Sequence, residues 1–251
     1  MKKEYLKDVT FLVIAKFDSI ERLENTLHAV YYLDKYFDTN VKLWEYASWN
    51  NGIVKHLLPK GVDYEYHEDL DPVFYRTHFL NNMIETVTTE FVSVWDVDVV
   101  IDRKQIIEAV KKLRKGTDIV YPYKVFYDTT DELRRIYFQQ DCDLNVLFHH
   151  INYMIELYGP IPVGGAYLAR TERYKESGKE NEKFYGWGYE DGERYYRWIN
   201  LGYKIERIEG PLFHLSHPRG INSIVANSDL DILKKRELIY TIKNKNGNEF
   251  D

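Results

Sequence analysis

Short apolar stretches alternate along this chain with longer stretches in which apolar residues recur every three or four positions. Continuous apolar stretches are typical of buried strands, whereas the longer spacing is typical of helices with one buried face. The predicted strands lie at residues 9–15, 41–46, 91–94 and 118–126. The predicted helices lie at residues 19–36, 71–88, 102–116, 131–157 (with a break near 141) and 194–201, followed by one more in the C-terminal tail.

This alternation predicts an α/β fold with a mostly parallel central sheet and helices on both faces, of the Rossmann-like kind. Ligands of such sheets bind beyond the carboxyl ends of the strands, so function is expected in the loops after Ala15, Tyr46 and Val94. We assign residues 1–225 to this domain and residues 226–251 to a C-terminal helix with a flexible tail.

Composition narrows the class of protein further. The 251 residues are 44% hydrophobic, which excludes global disorder, and the formal net charge of −6 argues against a nucleic-acid binder. The single cysteine, Cys142, excludes an internal disulfide and is typical of a reducing compartment. No apolar stretch reaches the roughly 18 residues of a membrane span. We therefore expect a cytoplasmic protein that works alone or associates peripherally with a membrane complex.

Asp96-Val97-Asp98 is the first candidate for chemistry, because it directly follows a predicted buried strand. Two carboxylates at a strand end offer hard oxygen ligands to Mg²⁺ or Mn²⁺, and the ion can then neutralise a diphosphate. The alternative is an ordinary solvated strand end.

A second candidate is the glycine-rich aromatic segment at residues 184–193, which contains Trp187 and ends in Glu190 and Asp191 before a helix. A carboxylate at a helix N-terminus is stabilised by the helix dipole and can accept a proton from a bound hydroxyl. The alternative is simple helix capping. Capping does not explain the glycines on both sides of the tryptophan. Glycines at these positions would let the backbone and the ring approach a ligand closely.

A third candidate is the segment at residues 211–219, in which His214, His217 and Arg219 lie close together. Neutral imidazole is a ligand for Mn²⁺ or Zn²⁺, and an arginine can pair with phosphate. Weaker candidates are the Gly164-Gly165 turn, and the polar residues Asp18, Arg22 and Glu45 after the first two strands. Each of these polar residues could equally form a surface ion pair.

In order and type, these motifs resemble GT-A-type glycosyltransferases, above all the β-1,4-galactosyltransferase and chondroitin-polymerase-like family with its bacterial capsule and polysaccharide enzymes. The resemblance spans residues 9–220. It rests on Asp96-Val97-Asp98, on Gly-Trp-Gly-Tyr-Glu-Asp at 186–191 and on His-Leu-Ser-His-Pro-Arg at 214–219. Arg76 with Asn81 is a weaker match, to the helix before the acidic motif.

The resemblance implies a transfer of hexose or N-acetylhexosamine from a UDP-sugar to a saccharide acceptor, with inversion and with Mn²⁺ or Mg²⁺ as cofactor. Asp98 and His214 would bind the metal, with His217 as the substitute imidazole; Asp191 would be the catalytic base and Glu190 would orient acceptor hydroxyls. The implied donor-site residues are Asp18, Arg22, Glu45, Arg76, Asp96, Trp187, His217 and Arg219. The implied acceptor-site residues are Gly164, Gly165, Trp187 and Tyr189.

Two departures from the family concern the acceptor side. Gly192 stands where related enzymes often carry a third acid, and Tyr189 stands where they often carry glycine. These differences leave the acceptor open.

Three other functions remain as alternatives. A nucleotidyltransferase needs a glycine-rich basic loop after the first strand, where this chain has Lys16-Phe17-Asp18-Ser19. A non-catalytic sugar-binding module, suggested by the 16% aromatic content, is usually an all-β sandwich. A metal-dependent sugar-nucleotide hydrolase would use the same histidines and aspartates.

Overall fold

The computed structural model describes residues 2–50, 52–224 and 227–244. The strands of this part of the chain are β1 (Glu4–Ala15), β2 (Phe37–Ala47), β3 (Val62–Glu68), β4 (Phe91–Trp95), β5 (Val99–Ile101), β6 (Ile119–Tyr121), β7 (Val125–Asp128), β8 (Ile155–Leu157), β9 (Ala166–Arg170), β10 (Ile205–Arg207) and β11 (Pro211–His214). Its α-helices are α1 (Ile20–Tyr36), α2 (Ile53–Leu57), α3 (Arg76–Glu85), α4 (Arg103–Arg114), α5 (Asp131–Gln139), α6 (Leu144–His149), α7 (Thr171–Glu176), α8 (Glu190–Asn200) and α9 (Ser228–Lys243).

The larger of two sheets has seven strands in the order β10-β6-β9-β4-β1-β2-β3. Only β9 runs antiparallel to its neighbours, so the prediction of an α/β fold with a mostly parallel sheet is confirmed. Consecutive residues of β1 from Phe11 to Val13 are fully buried, as expected for a strand covered on both faces. An all-β sugar-binding sandwich is inconsistent with this mixed architecture.

A second sheet, absent from the sequence-based expectation, contains four strands in the order β5-β11-β7-β8. In it β11 pairs in parallel with β7, and His214 lies opposite Asp128. On its other edge β11 pairs antiparallel with β5, where His214 lies opposite Val99. This sheet therefore brings the 211–219 segment against the residues that follow β4.

Two predicted elements have the wrong extent because the chain changes sheet. Residues 118–126 do not form one strand: β6 belongs to the large sheet and β7 to the small one. Pro122, which has no amide hydrogen for a strand ladder, lies between them. The helical stretch at 131–157 breaks at Asp141 as predicted, where φ is +52°, but its last residues form β8.

Two predicted helices begin elsewhere. The helix expected from Asp71 begins at Arg76 and ends at Glu85, because the Asp71 carboxylate accepts a hydrogen bond from the Val73 amide (2.9 Å) and organises a turn instead. Helix α8 begins at Glu190, four residues before the predicted start, so the two acids lie within its first turn.

Two other helices begin with a side-chain cap. Ser19 Oγ accepts a hydrogen bond from the Arg22 amide (3.1 Å) at the start of α1, and Asp102 accepts one from the Lys104 amide (2.7 Å) at the start of α4. At the C-terminal end, α9 is joined to α8 by the hydrogen bond from Asn200 Nδ2 to the Thr241 carbonyl (2.6 Å). The predicted flexible tail after residue 244 lies outside the described residues.

Candidate active site

A cavity of about 460 Å³ lies beyond the carboxyl ends of β1 and β4, between the two sheets and the N-terminus of α8. Its position agrees with the general location of ligand sites in open α/β sheets. The loop after Val94 contributes to its lining, as predicted. On the β1 side the lining residues are Ile14 of β1 and Arg22 of α1, and none of the described residues in the loops after Ala15 and Tyr46 lines the cavity. The site is therefore built on the centre of the large sheet.

Strand β4 delivers two aspartates into this cavity with different surroundings. All five residues of β4 are buried, so the strand end is held rigidly. Asp96 Oδ1 lies 2.5 Å from Arg76 Nη2, on the first turn of α3. Asp98 is itself buried, and its carbonyl accepts a hydrogen bond from the Leu215 amide (2.7 Å). The two carboxylates of the Asp-Val-Asp motif thus serve different partners.

Asp98 forms a compact cluster with two histidines from the small sheet and the loop after it. Its carboxylate oxygens lie 3.6 Å from His214 Nε2 and 3.2 Å from His217 Nε2. One ligand atom from each of the three residues lies within 4.8 Å of the others, a separation that one metal ion can bridge. The sequence offered the two histidines as substitutes for each other; the structure brings both to Asp98.

The other ring nitrogens orient both imidazoles toward Asp98. His214 Nδ1 lies 2.6 Å from Asp128 Oδ1, and His217 Nδ1 lies 2.9 Å from the Pro218 carbonyl. Each Nδ1–H can donate to its oxygen, so each Nε2 faces the cluster centre, where it can bind a metal ion when it carries no proton. The nearby Arg22 Nη2, 3.2 Å from His217 Nδ1, cannot donate to a nitrogen that carries this proton.

The charges of the cluster favour a cation. Burial raises the pKa of the Asp98 carboxyl, but His214, His217 and Arg22 outweigh burial and bring that pKa well below its usual value. Burial lowers the pKa of the His214 imidazole, while Asp98 and Asp128 raise it to about 9. The carboxylates of Asp98 and Asp128 thus stabilise a proton on the His214 imidazole. One hard oxygen and two borderline nitrogens also suit a divalent ion such as Mn²⁺.

We predict that Asp128→Asn weakens Mn²⁺ binding about 10- to 100-fold, because an amide holds the His214 ring less firmly than a carboxylate does. Isothermal titration calorimetry with Mn²⁺ measures the effect. Asp131→Asn is the matched control, since Asp131 is an exposed acid of the same segment. An unchanged Mn²⁺ affinity in Asp128→Asn would show that the Asp128 carboxylate does not hold His214 as a metal ligand.

The opposite wall of the cavity is a loop whose backbone requires glycine. Gly186 and Gly188 have φ of +71° and +109°, and the next residue, Tyr189, has φ of +74°. The loop presents the half-exposed Trp187 to the cavity, and the Trp187 carbonyl accepts a hydrogen bond from the buried Lys234 Nζ (3.0 Å) on α9. The C-terminal helix thus supports the tryptophan loop.

The first turn of α8 places both predicted carboxylates at the cavity. Burial, followed by the charge of Asp191, raises the pKa of Glu190 to about 7, and Glu190 Oε2 has no hydrogen-bond partner among the described residues. Asp191 is closer to solvent, and a Cβ atom at Gly164 would lie only 2.8 Å from its Oδ2. Gly164 therefore leaves the space that this oxygen occupies.

Comparison with solved structures shows which fold surrounds this site. A mannosyltransferase from Pyrobaculum calidifontis, solved with GDP-mannose and Mn²⁺, matches at 18% identity and a TM-score of 0.55, over 85% of this chain and 58% of that one. The catalytic domain of Drosophila β1,4-galactosyltransferase 7, solved with xylobiose, matches at 14% identity and a TM-score of 0.53, over 90% of this chain and 79% of that one. The chain has the GT-A glycosyltransferase fold.

Further comparisons agree with the GT-A fold. Glucosyl-3-phosphoglycerate synthase from Mycobacterium tuberculosis, solved with Mn²⁺, UDP and phosphoglyceric acid, matches at 15% identity and a TM-score of 0.52, over 96% of this chain and 79% of that one. A variant of the Drosophila enzyme has been solved with manganese, UDP-galactose and xylobiose. Residues 147–219 match a family described as the N-terminal domain of galactosyltransferase. No curated protein sequence matches the chain.

This GT-A chain spans 58% of the length of the Pyrobaculum enzyme. Within the described residues, no helix has both the length and the apolar character needed to cross a bilayer. The cytoplasmic location stays a prediction.

Most residues predicted for a GT-A site line the one cavity. They are Arg22, Arg76, Asp96, Asp98, Gly164, Gly165, Trp187, Tyr189, Glu190, Asp191, His214, His217 and Arg219. Gly165 has φ of +83°, and a Cβ atom there would lie 2.9 Å from Leu212, so the position requires glycine.

Two residues predicted to bind the donor are not brought into the cavity lining. Glu45 is buried at the end of β2, where its Oε2 accepts a hydrogen bond from the Tyr64 hydroxyl (2.6 Å). Asp18 lies at the edge and pairs with Arg22 Nε (2.9 Å). Glu45 is thus held by Tyr64, and Asp18 reaches the site through Arg22; their assignment to the donor site stays a prediction.

Sequence reasoning missed several residues of the site, and three of them bear on its chemistry. Asp128 holds His214, Tyr158 lines the cavity, and Arg194 lies 2.6 Å from Asp191. Only Arg194 carries a signal in the sequence, since it stands three residues after Asp191 and so lies on the same side of α8. Asp128 and Tyr158 reach the site through the small sheet, which local patterns do not reveal.

Proposed function

We propose that the chain is a metal-dependent glycosyltransferase that moves a hexose or N-acetylhexosamine from a UDP-sugar to a saccharide acceptor, with inversion at the anomeric carbon. One observation carries this proposal. A cluster suited to a divalent cation, formed by Asp98, His214 and His217, opens into the same cavity as the carboxylate of Asp191. A cation site beside a proton acceptor suits the transfer of a sugar from a diphosphate leaving group.

On the donor side, a divalent ion in the cluster would neutralise the charge that develops on the departing diphosphate. The chain's own cations add positive charge beside the ion, because Arg22 and Arg219 also line the cavity. Arg22 Nη1 lies 3.4 Å from Asp98 Oδ2, and Arg219 Nη2 lies 3.7 Å from Asp128 Oδ2. Both arginines are thus placed next to the cation cluster, where they would orient phosphate oxygens.

On the acceptor side, Asp191 would take the proton of the attacking hydroxyl. As the acceptor oxygen bonds to the anomeric carbon, the bond from that carbon to the diphosphate breaks and the proton passes to Asp191. A single displacement of this kind inverts the anomeric configuration. Trp187 would pack against the sugars, since its indole is exposed to the cavity.

The choice of nucleotide rests on similar proteins. The Drosophila and Mycobacterium enzymes were solved with UDP-galactose and UDP, whereas the Pyrobaculum enzyme was solved with GDP-mannose. The match of residues 147–219 to the galactosyltransferase family favours UDP for this chain.

Calorimetry on the whole chain tests the proposal. UDP should bind when Mn²⁺ is present and lose most of its affinity when EDTA removes the ion. Its affinity should also be higher than that of GDP or CDP. UDP-sugars are then supplied with saccharide acceptors, and the anomeric configuration of the product is read by NMR. A retained configuration would contradict Asp191 as the single base. Free sugar released equally fast with and without acceptor would indicate a hydrolase, and absence of binding to UDP, GDP and CDP would refute the transferase.

A further inference from the structure

A fully buried ion pair lies next to Asp191, outside the cavity lining. Arg194 Nη1 is 2.8 Å from Glu180 Oε2, and each of the two side chains is only 1% exposed. Removing two charges from water is costly, and a well-packed apolar pair of the same volume would often serve stability as well or better. Stability alone therefore does not account for this pair.

The second edge of the same guanidinium reaches Asp191. Arg194 Nη2 lies 2.6 Å from Asp191 Oδ1. The guanidinium group also lies 4.3 Å from the ring centroid of Tyr167 and 5.4 Å from that of Trp198. A planar fork held by two aromatic rings and a carboxylate has little freedom to rotate, so its remaining edge presents donors in a fixed direction.

Glu180 is in turn anchored to the core of the fold. Its Oε1 accepts hydrogen bonds from the hydroxyls of Tyr174 (2.6 Å) and Tyr167 (3.0 Å), which belong to α7 and β9. Its amide donates to Asn81 Oδ1 (2.9 Å) on α3. A chain of hydrogen bonds thus runs from three elements of the core through Glu180 and Arg194 to one oxygen of Asp191.

We propose that Arg194 is a positioning residue for Asp191 and that Glu180 holds Arg194 in the required orientation; this rests on the proposed function. Because Arg194 contacts Oδ1, the second oxygen, Oδ2, is the one left for the acceptor; it lies beside Gly164 of the cavity lining, where a Cβ atom would be only 2.8 Å away. Oδ2 is then the atom that receives the acceptor proton. Arg194 itself transfers no proton.

The test begins with Arg194→Lys. A lysine keeps the positive charge but cannot reach Glu180 and Asp191 together as a fork does. We expect kcat to fall about 10- to 100-fold, the cost of a misplaced reacting group. The Kd for UDP in the presence of Mn²⁺ should stay within about twofold, because the cation cluster does not include Arg194.

A double-mutant cycle separates positioning from general structural damage. If Arg194 acts through the Asp191 carboxylate, Arg194→Lys should cause no further loss of kcat once Asp191→Asn is present. Glu180→Gln, which keeps the side-chain volume, should show a smaller loss of kcat and the same dependence on Asp191. Losses that multiply in the double variants would overturn the positioning role.

Arg197→Lys is the matched control, since Arg197 lies one turn later on α8, is also buried and pairs with Glu193 (3.0 Å). It should lower the thermal unfolding temperature and leave kcat unchanged. If Arg194→Lys does not fold, the cycle of Glu180→Gln with Asp191→Asn tests the same coupling. A chain that transfers no sugar refutes both proposals. A full kcat in Asp191→Asn refutes Asp191 as the base, and this inference with it, but leaves the transferase. Activity that depends on Asp191 but not on Arg194 or Glu180 refutes this inference alone.

Discussion

Asp98→Ala is expected to abolish Mn²⁺-dependent binding of UDP. Asp98 supplies the only carboxylate among the three residues of the cation cluster, and it is buried between His214 and His217. Without it, two imidazoles and the cation of Arg22 would face the incoming ion, and the cluster would contain no carboxylate ligand. We expect the Kd for UDP in Mn²⁺ to rise by more than about 100-fold, the upper cost of losing an outer hydrogen-bond partner of a ligand.

The same motif supplies the control for this experiment. Asp96→Asn removes a carboxylate that pairs with Arg76 and takes no part in the cation cluster. Mn²⁺ affinity, measured by calorimetry without nucleotide, should be lost in Asp98→Ala and kept in Asp96→Asn. Equal losses in the two variants would show that general acidity of the cavity, rather than the cluster, attracts the ion.

Asp191→Asn is expected to lower kcat about 100- to 10,000-fold, the usual contribution of a general base. The amide retains the size of the side chain and can still accept a hydrogen bond from Arg194 through its carbonyl oxygen, but it takes no proton from the acceptor. Steady-state transfer assays give kcat, and calorimetry should show an unchanged Kd for UDP with Mn²⁺. The donor site would then be intact while the chemical step fails.

Glu172→Gln is the control for Asp191→Asn, because Glu172 is an exposed acid in the first turn of α7 and does not line the cavity. It should keep the wild-type kcat. A full kcat in Asp191→Asn would mean that another group accepts the proton, and Glu190, whose Oε2 has no partner among the described residues, would then be the next carboxylate to replace.

Sequence patterns predicted the fold class correctly and indicated most of the polar residues that the structure brings to the cavity. Local signals carried these predictions: the apolar stretch of β4 before Asp96 and Asp98, the glycines around Trp187 and the acids at the start of α8. Such signals depend on neighbours within a few residues, so a single sequence displays them directly. The start of α3 was misplaced because a local hydrogen bond, that of the Asp71 carboxylate with the Val73 amide, competes with helix formation.

The arrangement of those groups required the tertiary structure. The pairing of β11 with β7 places Asp128 opposite His214 although 86 residues separate them, and it is this pairing that orients the His214 ring. Similarly, Glu180 and Arg194 meet in the core through tyrosines of β9 and α7. Strand register and buried ion pairs depend on contacts between distant segments, whose partners no periodicity specifies. The chain's residue types therefore indicate its chemistry, while long-range packing determines which nitrogen of His214 faces Asp98 and which oxygen of Asp191 contacts Arg194.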